Sequence, residues 1–125
     1  MSDPVNHPAH YNVAGAKYEA IRIIDDWRLG FSLGNAVKYL LRAKHKGNEL
    51  EDLRKAHWYI RHAAEVGERP SLSIDQATIT VEEVVGAWMC SQLESILFDI
   101  ACGRVLPAAV RLAAYIDTYH GEMPK

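Results

Sequence analysis

Apolar residues recur every three or four positions along most of the chain, a spacing that places them on one face of an α-helix. Glycine, proline and polar residues divide this pattern into separate stretches. The sequence therefore predicts an all-α fold, a compact bundle of about five helices that follows an extended N-terminal arm over residues 1–17. The helices are expected over residues 18–28, 32–46, 49–66, 80–102 and 107–120.

Residues that commonly begin a helix mark three of these boundaries. Ser32 is a predicted N-cap of the second helix, and Thr80 with Glu83 has the spacing of a capping box at the start of the fourth. Pro107 falls in the first turn of the last helix, where its missing N–H costs no hydrogen bond. Glycines that favour helix ends follow four of the stretches: Gly30, Gly47, Gly67 and Gly121.

The length of 125 residues predicts one domain with a core of its own. Within it we expect the N-terminal arm (1–17), a helical core (18–66), a polar connection (67–80) that holds a short extended piece, and a C-terminal helical pair (81–121). No charged leader precedes an apolar run, and the sequence contains no uninterrupted apolar stretch of about 18 residues. These features predict a cytoplasmic protein.

The predicted fourth helix is apolar on more than one face. A helix with this pattern lies in the centre of a bundle or in a subunit interface. Because a chain of this size has difficulty enclosing such a helix, we expect a homo-oligomer that associates through it. The apolar positions are Val81, Val84, Val85, Trp88, Met89, Leu93, Ile96, Leu97 and Ile100.

Polar residues form a stripe on each of the second and third helices. Their intervals of three and four place them on one face, opposite the apolar side. A short connection makes the two helices antiparallel neighbours, and if their stripes face each other, Lys38, Arg42 and Lys55 converge. The stripes consist of Asn35, Lys38, Arg42 and His45 on the second helix, and of Asp52, Lys55, Tyr59 and His62 on the third.

This cationic cluster has two interpretations. The net charge of −2 provides no overall attraction for nucleic acid or an acidic membrane, so a bound anion requires a local site. Arginine offers a planar fork for phosphate oxygens and lysine a movable charge, which suits a phosphorylated small molecule. In the alternative, the stripes are solvated faces with ordinary ion pairs, such as Glu51 with Lys55.

Several common catalytic patterns are absent from the sequence. It contains no phosphate loop of the GxxxxGK[ST] type and no zinc pattern such as HExxH or CxxC. Glu49 and Asp52 form one ExxD pair. The ExxE pair that a magnesium site on facing helices also needs is not found upstream, where Asp25 and Asp26 are only weak substitutes. Metal-dependent nucleotide hydrolysis is therefore disfavoured. We expect neither a metal nor a cofactor.

The motifs VNHPAHY and LGNAVKYLLRAKHKGNELEDLRKAHWYI resemble the SaV-like family of small bacteriophage proteins. The resemblance covers residues 5–63 and consists of separate blocks in one order: HPxHY, GN, KY, R, KG and DLxKAxWY. Some members of this family are described as nucleotide kinases that lack a phosphate loop. The resemblance implies a nucleotide site at the matching positions, which are His7, His10, Tyr11, Asn35, Lys38, Tyr39, Arg42, Lys46, Asp52, Lys55 and Tyr59.

In this interpretation the N-terminal arm covers a pocket on the helical hairpin. Pro8 limits the conformational freedom that the arm loses on packing. Tyr11 is then placed to stack on a base, and His7 or His10 to donate to a phosphate. The alternative is that His10 and Tyr11 only cap the bundle.

Three functions follow as hypotheses. The first is a phage protein that sequesters a nucleotide, either a metabolite or a host signalling nucleotide, in the cytoplasm of the infected bacterium. The second is a nucleoside monophosphate kinase without a phosphate loop, and the third is a structural or interaction protein. The expected partners are a small-molecule nucleotide and further copies of the chain, whereas a membrane is excluded and nucleic acid is disfavoured.

Overall fold

The computed structural model describes residues 19–43, 47–71, 74–88 and 93–119. Within these ranges the chain forms six α-helices, one 3-10 turn and no strand, which confirms the all-α fold. The expected N-terminal arm lies outside the described residues. The elements are α1 (Ala20–Asp26), α2 (Phe31–Arg42), α3 (Glu49–Val66), the 3-10 turn (Ile74–Gln76), α4 (Val81–Trp88), α5 (Glu94–Ala101) and α6 (Val105–Asp117).

Helix α3 lies in the middle of the fold, because it packs against α2 on one side and α6 on another. The apolar stripe of α2 is fully buried, as its period predicts. Leu53 and Ile60 supply the buried side of α3. The core side of α2 consists of Leu33, Ala36, Val37, Leu40 and Leu41.

The start of α2 differs from the prediction. Gly30 rather than Ser32 is the N-cap, and it provides no side-chain hydrogen bond. The Glu68 carboxylate instead accepts from the amides of Ser32 (3.2 Å) and Leu33 (2.7 Å). This carboxylate comes from a residue far along the chain, so the local sequence did not reveal it. It follows directly on Gly67, whose left-handed backbone (φ 77°) ends α3 at the predicted position.

Hydrogen bonds hold the connection between α3 and α4 to the end of α1. The Asp26 carboxylate accepts from the Thr78 hydroxyl (2.6 Å) and from the amides of Thr78 and Ile79. Trp27 donates its indole N–H to the Ile79 carbonyl over 2.8 Å in the core. The described part of this connection contains a 3-10 turn rather than the expected extended piece.

The predicted fourth helix is two helices, α4 and α5, with residues 89–92 between them outside the described ranges. Its capping box is confirmed: the Thr80 amide donates to Glu83 over 2.9 Å, and the Glu83 amide donates to Thr80 Oγ1 over 3.1 Å. Two short helices can each turn an apolar face to the core. The chain therefore buries Val81, Val84, Val85, Leu93, Ile96, Leu97 and Ile100 within the monomer.

This burial weakens the reason for expecting association through the fourth helix. Two of its apolar positions, the Trp88 side chain and Met89, lie outside the described residues, and self-association stays a prediction. In place of a C-terminal pair, α4, α5 and α6 form this part of the molecule. Pro107 lies in the first turn of α6, as predicted.

A buried carboxylate joins α5 to α6. The side chain of Asp99 is 3% exposed, and it pairs with two half-exposed arginines. Its Oδ1 lies 2.9 Å from Arg104 Nε, and its Oδ2 lies 2.8 Å from Arg111 Nε. The charge of Asp99 is thus neutralised from within the chain.

Candidate functional site

The ring of Tyr39 is the point at which the predicted cationic residues meet. Lys38 Nζ lies 5.1 Å from the ring centroid, Arg42 Cζ 5.3 Å and Lys55 Nζ 5.5 Å. These distances are within the range of cation–π attraction, about 6 Å. We call Lys38, Tyr39, Arg42 and Lys55 the Tyr39 cluster. The convergence expected from helical spacing is present in the structure.

The hairpin geometry explains the cluster. Lys38 and Arg42 are four residues apart on α2, so they lie on adjacent turns of one face. Lys55 reaches the same ring from α3, which runs alongside α2. A π face attracts a cation without accepting all of its N–H donors, so Lys38 keeps donors for an anion.

One anionic partner of the cluster is visible. Lys55 Nζ lies 3.6 Å from Glu51 Oε2, which is the ion pair that the solvated-face alternative predicts. Both side chains are about half exposed or more, and such pairs contribute little free energy. Among the described residues Lys38 forms no ion pair. Lys38 thus contributes a positive charge that no ion pair with the described residues neutralises.

Aromatic side chains continue from the cluster along the hairpin. Tyr39 stacks on Tyr59 with centroids 6.0 Å apart and planes 14° apart. Trp58 meets Tyr59 edge to face at 5.1 Å and stacks on His62 at 5.4 Å, and Phe31 meets Tyr59 edge to face at 6.0 Å. We call Phe31, Tyr39, Trp58, Tyr59 and His62 the aromatic row.

The two most exposed members of this row were not among the predicted site residues. Phe31 is 73% exposed and Trp58 is 60% exposed, although both are large and apolar. Two signals were present in the sequence. Trp58 and His62 are four residues apart on α3, and both aromatic residues fall among polar ones rather than on the apolar stripe.

Two other predicted residues have different surroundings from those expected. Asn35 donates from Nδ2 to the Phe31 carbonyl of its own helix over 2.8 Å. Asp52, predicted on a polar stripe, is only 3% exposed. Its buried Oδ2 has no hydrogen-bond partner among the described residues. Its place in the first turn of α3 favours a carboxylate, because the amide dipoles there point toward it.

The remaining predicted residues, His7, His10, Tyr11 and Lys46, lie outside the described residues. The proposed contact of the arm with the hairpin therefore stays a prediction. His45 of the α2 stripe also falls outside these ranges.

Two of the four carboxylates considered for metal-dependent hydrolysis, Glu49 and Asp26, make structural contacts. Glu49 accepts a hydrogen bond of 2.7 Å from the Tyr119 hydroxyl in the core, and Asp26 holds the connection before α4. In the described part of the chain, no three histidine, cysteine, aspartate or glutamate residues form a group able to hold a metal ion.

His57 differs from the histidine of the aromatic row. Partial burial lowers its pKa below the usual 6.5, and the positive charge of Arg61 lowers it further. A hydrogen bond with the Ala109 backbone and the charge of Asp117 act in the opposite direction but do not restore the pKa. These α6 groups place His57 at the packed side of α3, away from any predicted binding role.

Residues 5–61 match the model of the family DUF3310, which is described as a protein of unknown function. The matched segment includes α1, α2 and the Tyr39 cluster, and it ends within α3. Comparisons with curated proteins and with solved structures found no significant match. No helix in the described ranges combines the length and apolar character needed to cross a bilayer. The chain is thus similar to the DUF3310 family over its N-terminal part.

Proposed function

We propose that the chain binds a phosphorylated nucleotide on the Tyr39 cluster. One observation supports this proposal most directly: two helices bring three cationic side chains within 5.1–5.5 Å of the centroid of one tyrosine ring. Like charges gathered around one ring repel one another, and a phosphate bound among them would relieve the repulsion. Arg42 supplies paired N–H donors for this phosphate, while Lys38 and Lys55 supply mobile charges.

The aromatic row supports a nucleotide rather than a simple phosphate. Tyr59 lies next to Tyr39 and connects the cationic cluster to the exposed ring of Trp58. Aromatic side chains stack on every nucleobase, because each base has a π face. A ligand with a base and a phosphate therefore matches both parts of this face.

We propose that the protein holds its nucleotide by sequestration. Holding requires only the cluster and the stacked rings of Tyr39 and Tyr59, whereas phosphoryl transfer also requires a second nucleotide in line with the first. A nucleoside monophosphate kinase is the alternative that the experiment below tests. From the resemblance to phage proteins, we further propose that the nucleotide is a metabolite or signalling molecule of an infected bacterium and that the protein acts in its cytoplasm.

Self-association is a separate part of the proposal. Because most described apolar positions of the fourth helix are buried, we propose another surface for the interface, the exposed apolar pair Leu106 and Val110 on α6. Light scattering at micromolar concentration tests for an oligomer. A homo-oligomer that becomes monomeric in Leu106→Lys supports the proposal, and a strict monomer overturns it.

The nucleotide proposal is tested by mass spectrometry of the small molecules that copurify with the protein. We expect a phosphorylated nucleotide with the parent chain and much less of it with Lys38→Ala. Arg61→Ala is the matched control, because Arg61 is an exposed cation of α3 that already pairs with Glu65. Equal retention in all three proteins, or no nucleotide in any of them, would overturn the proposal. Incubation with ATP then separates the alternatives: an unchanged ligand supports sequestration, and a new diphosphate supports the kinase.

A further inference from the structure

Trp58 is exposed in a way that the packing of the protein does not explain. Its side chain is 60% exposed, beyond the Tyr39 cluster, on the helix that supplies Lys55. His62 stacks parallel to it, at 5.4 Å and 6°. The pair forms a flat aromatic surface at the end of the aromatic row away from the cations.

The orientation of these rings determines what kind of ligand can use them together. The plane of Trp58 is turned 83° from that of Tyr59, while Tyr59 is nearly parallel to Tyr39. Two bases stacked on Trp58 and on the tyrosines would therefore be almost perpendicular to each other. Linked nucleotides with splayed, unstacked bases have this arrangement, whereas a base-paired duplex does not.

The charges nearby limit the length of the ligand. The cluster provides three cations, enough for a few phosphates. Helix α3 also carries negative side chains: Glu51 pairs with Lys55, and Glu65 pairs with Arg61. A long polyanion would meet these carboxylates, and a short ligand would not.

The charges also favour Trp58 over Phe31 for the second base. Phe31 begins α2, and the Glu68 carboxylate caps that end of the helix at Ser32 and Leu33. A phosphate attached to a base on Phe31 would approach this anion. Trp58 has His62 beside it, whose ring can donate a hydrogen bond to phosphate.

We propose that the face binds two linked nucleotides, with the first phosphate at the Tyr39 cluster and the second base on Trp58. This inference rests on the proposed nucleotide-binding function and defines its ligand class as a dinucleotide. Each stacked base adds to the affinity of such a ligand. A dinucleotide therefore binds more tightly than either of its halves.

The test is calorimetric titration with AMP, with the 5′-phosphorylated dinucleotide pApA and with a longer oligoadenylate, together with the guanine, cytosine and uracil equivalents. We expect the dinucleotide to bind at least fivefold more tightly than the mononucleotide, and Trp58→Ala to remove that advantage without changing mononucleotide affinity. Trp58→Phe retains a ring and restores most of the advantage. A longer strand that binds no more tightly than the dinucleotide supports a short free ligand, and one that binds much more tightly overturns the length assignment.

Three controls separate this inference from the proposed function. Phe98→Ala removes an exposed ring of α5, outside the aromatic row, and leaves dinucleotide affinity unchanged. Phe31→Ala weakens dinucleotide binding less than Trp58→Ala does, and an equal loss there would contradict the assignment to Trp58. Arg42→Ala weakens mononucleotide and dinucleotide alike. If Arg42→Ala has this effect while Trp58→Ala changes nothing, the second base is elsewhere and the proposed function stands. If no mononucleotide or dinucleotide binds the parent chain, both proposals fail.

Discussion

The α2–α3 hairpin and the α5–α6 corner each gather cationic side chains, but they treat them differently. At the corner, Arg104 and Arg111 pair with the buried Asp99 at 2.9 and 2.8 Å. On the hairpin, three cations lie around one aromatic ring: Lys38, Arg42 and Lys55. Lys55 also forms an exposed ion pair with Glu51 over 3.6 Å.

The difference separates a structural use of charge from a binding use. A buried carboxylate that forms ion pairs through both oxygens fixes two helices together and leaves no unmet negative charge. Lys38 lies against a ring without an ion pair to the described residues, so its charge does not join two helices in this way. We therefore expect substitutions at the corner to change stability and those on the hairpin to change binding.

The largest expected effect concerns the C-terminal core. Leu97 is fully buried, so Leu97→Ala should lower the free energy of unfolding by about 2–5 kcal/mol. Val66→Ala, at a position that is 60% exposed, should change it by less than about 0.5 kcal/mol. Chemical denaturation at two protein concentrations provides the measurement. A cost for Leu97→Ala that disappears on dilution would show that α5 lies in an interface and not in a monomer core.

An intermediate effect comes from the two buried carboxylates. Asp99→Asn removes the negative charge from both arginines and turns an amide NH2 toward one of them. It should cost about 2 kcal/mol, because both arginines can still reach water. Asp52→Asn should cost less than about 1 kcal/mol, because this carboxylate forms no ion pair with the described residues.

The two variants have to be compared in the same denaturation experiment. Equal losses of stability would mean that Asp52 has a structural role like that of Asp99. Asp52 of the hairpin would then stabilise the fold as Asp99 of the corner does, which contradicts the expected difference between the two regions.

The smallest effect is the contribution of His57 to the pH dependence of stability. Because folding lowers its pKa below 6.5, the unfolded chain binds more protons between that value and the folded pKa. The free energy of unfolding should therefore be greatest above pH 6.5 and fall as the pH drops through this window. His57→Gln should flatten this part of the profile, measured by denaturation from neutral to mildly acidic pH. An unchanged slope would show that His57 does not titrate differently in the folded state.

Local patterns predicted most of the helices, and long-range contacts account for what they missed. The bounds of α3, the capping box of α4 and Pro107 of α6 follow from residues close in sequence. The cap of α2 by Glu68 joins residues 35 and 36 positions apart, which no local rule identifies. The division of the fourth helix into α4 and α5 likewise depends on how the rest of the core encloses its apolar faces.

The candidate site was predictable to a similar degree. Helical spacing predicted the convergence of Lys38, Arg42 and Lys55, since an antiparallel hairpin brings facing stripes together. Spacing could not show that Asp52 is buried, because a position at the edge of a stripe can face either the partner helix or solvent. It also gave no measure of the exposure of Phe31 and Trp58, which depends on what the other helices leave uncovered.

The most direct test of the binding account is the affinity of Arg42 variants for the copurifying nucleotide, measured by calorimetry beside their melting temperatures. Arg42→Ala should weaken binding at least about tenfold, consistent with the loss of a charge-assisted hydrogen bond of about 1.5–3 kcal/mol, and leave the melting temperature nearly unchanged. Arg42→Lys should also bind poorly, because a point charge does not replace a planar fork. Parent-like affinity in Arg42→Ala would contradict the account and identify the Tyr39 cluster as a solvated helix face.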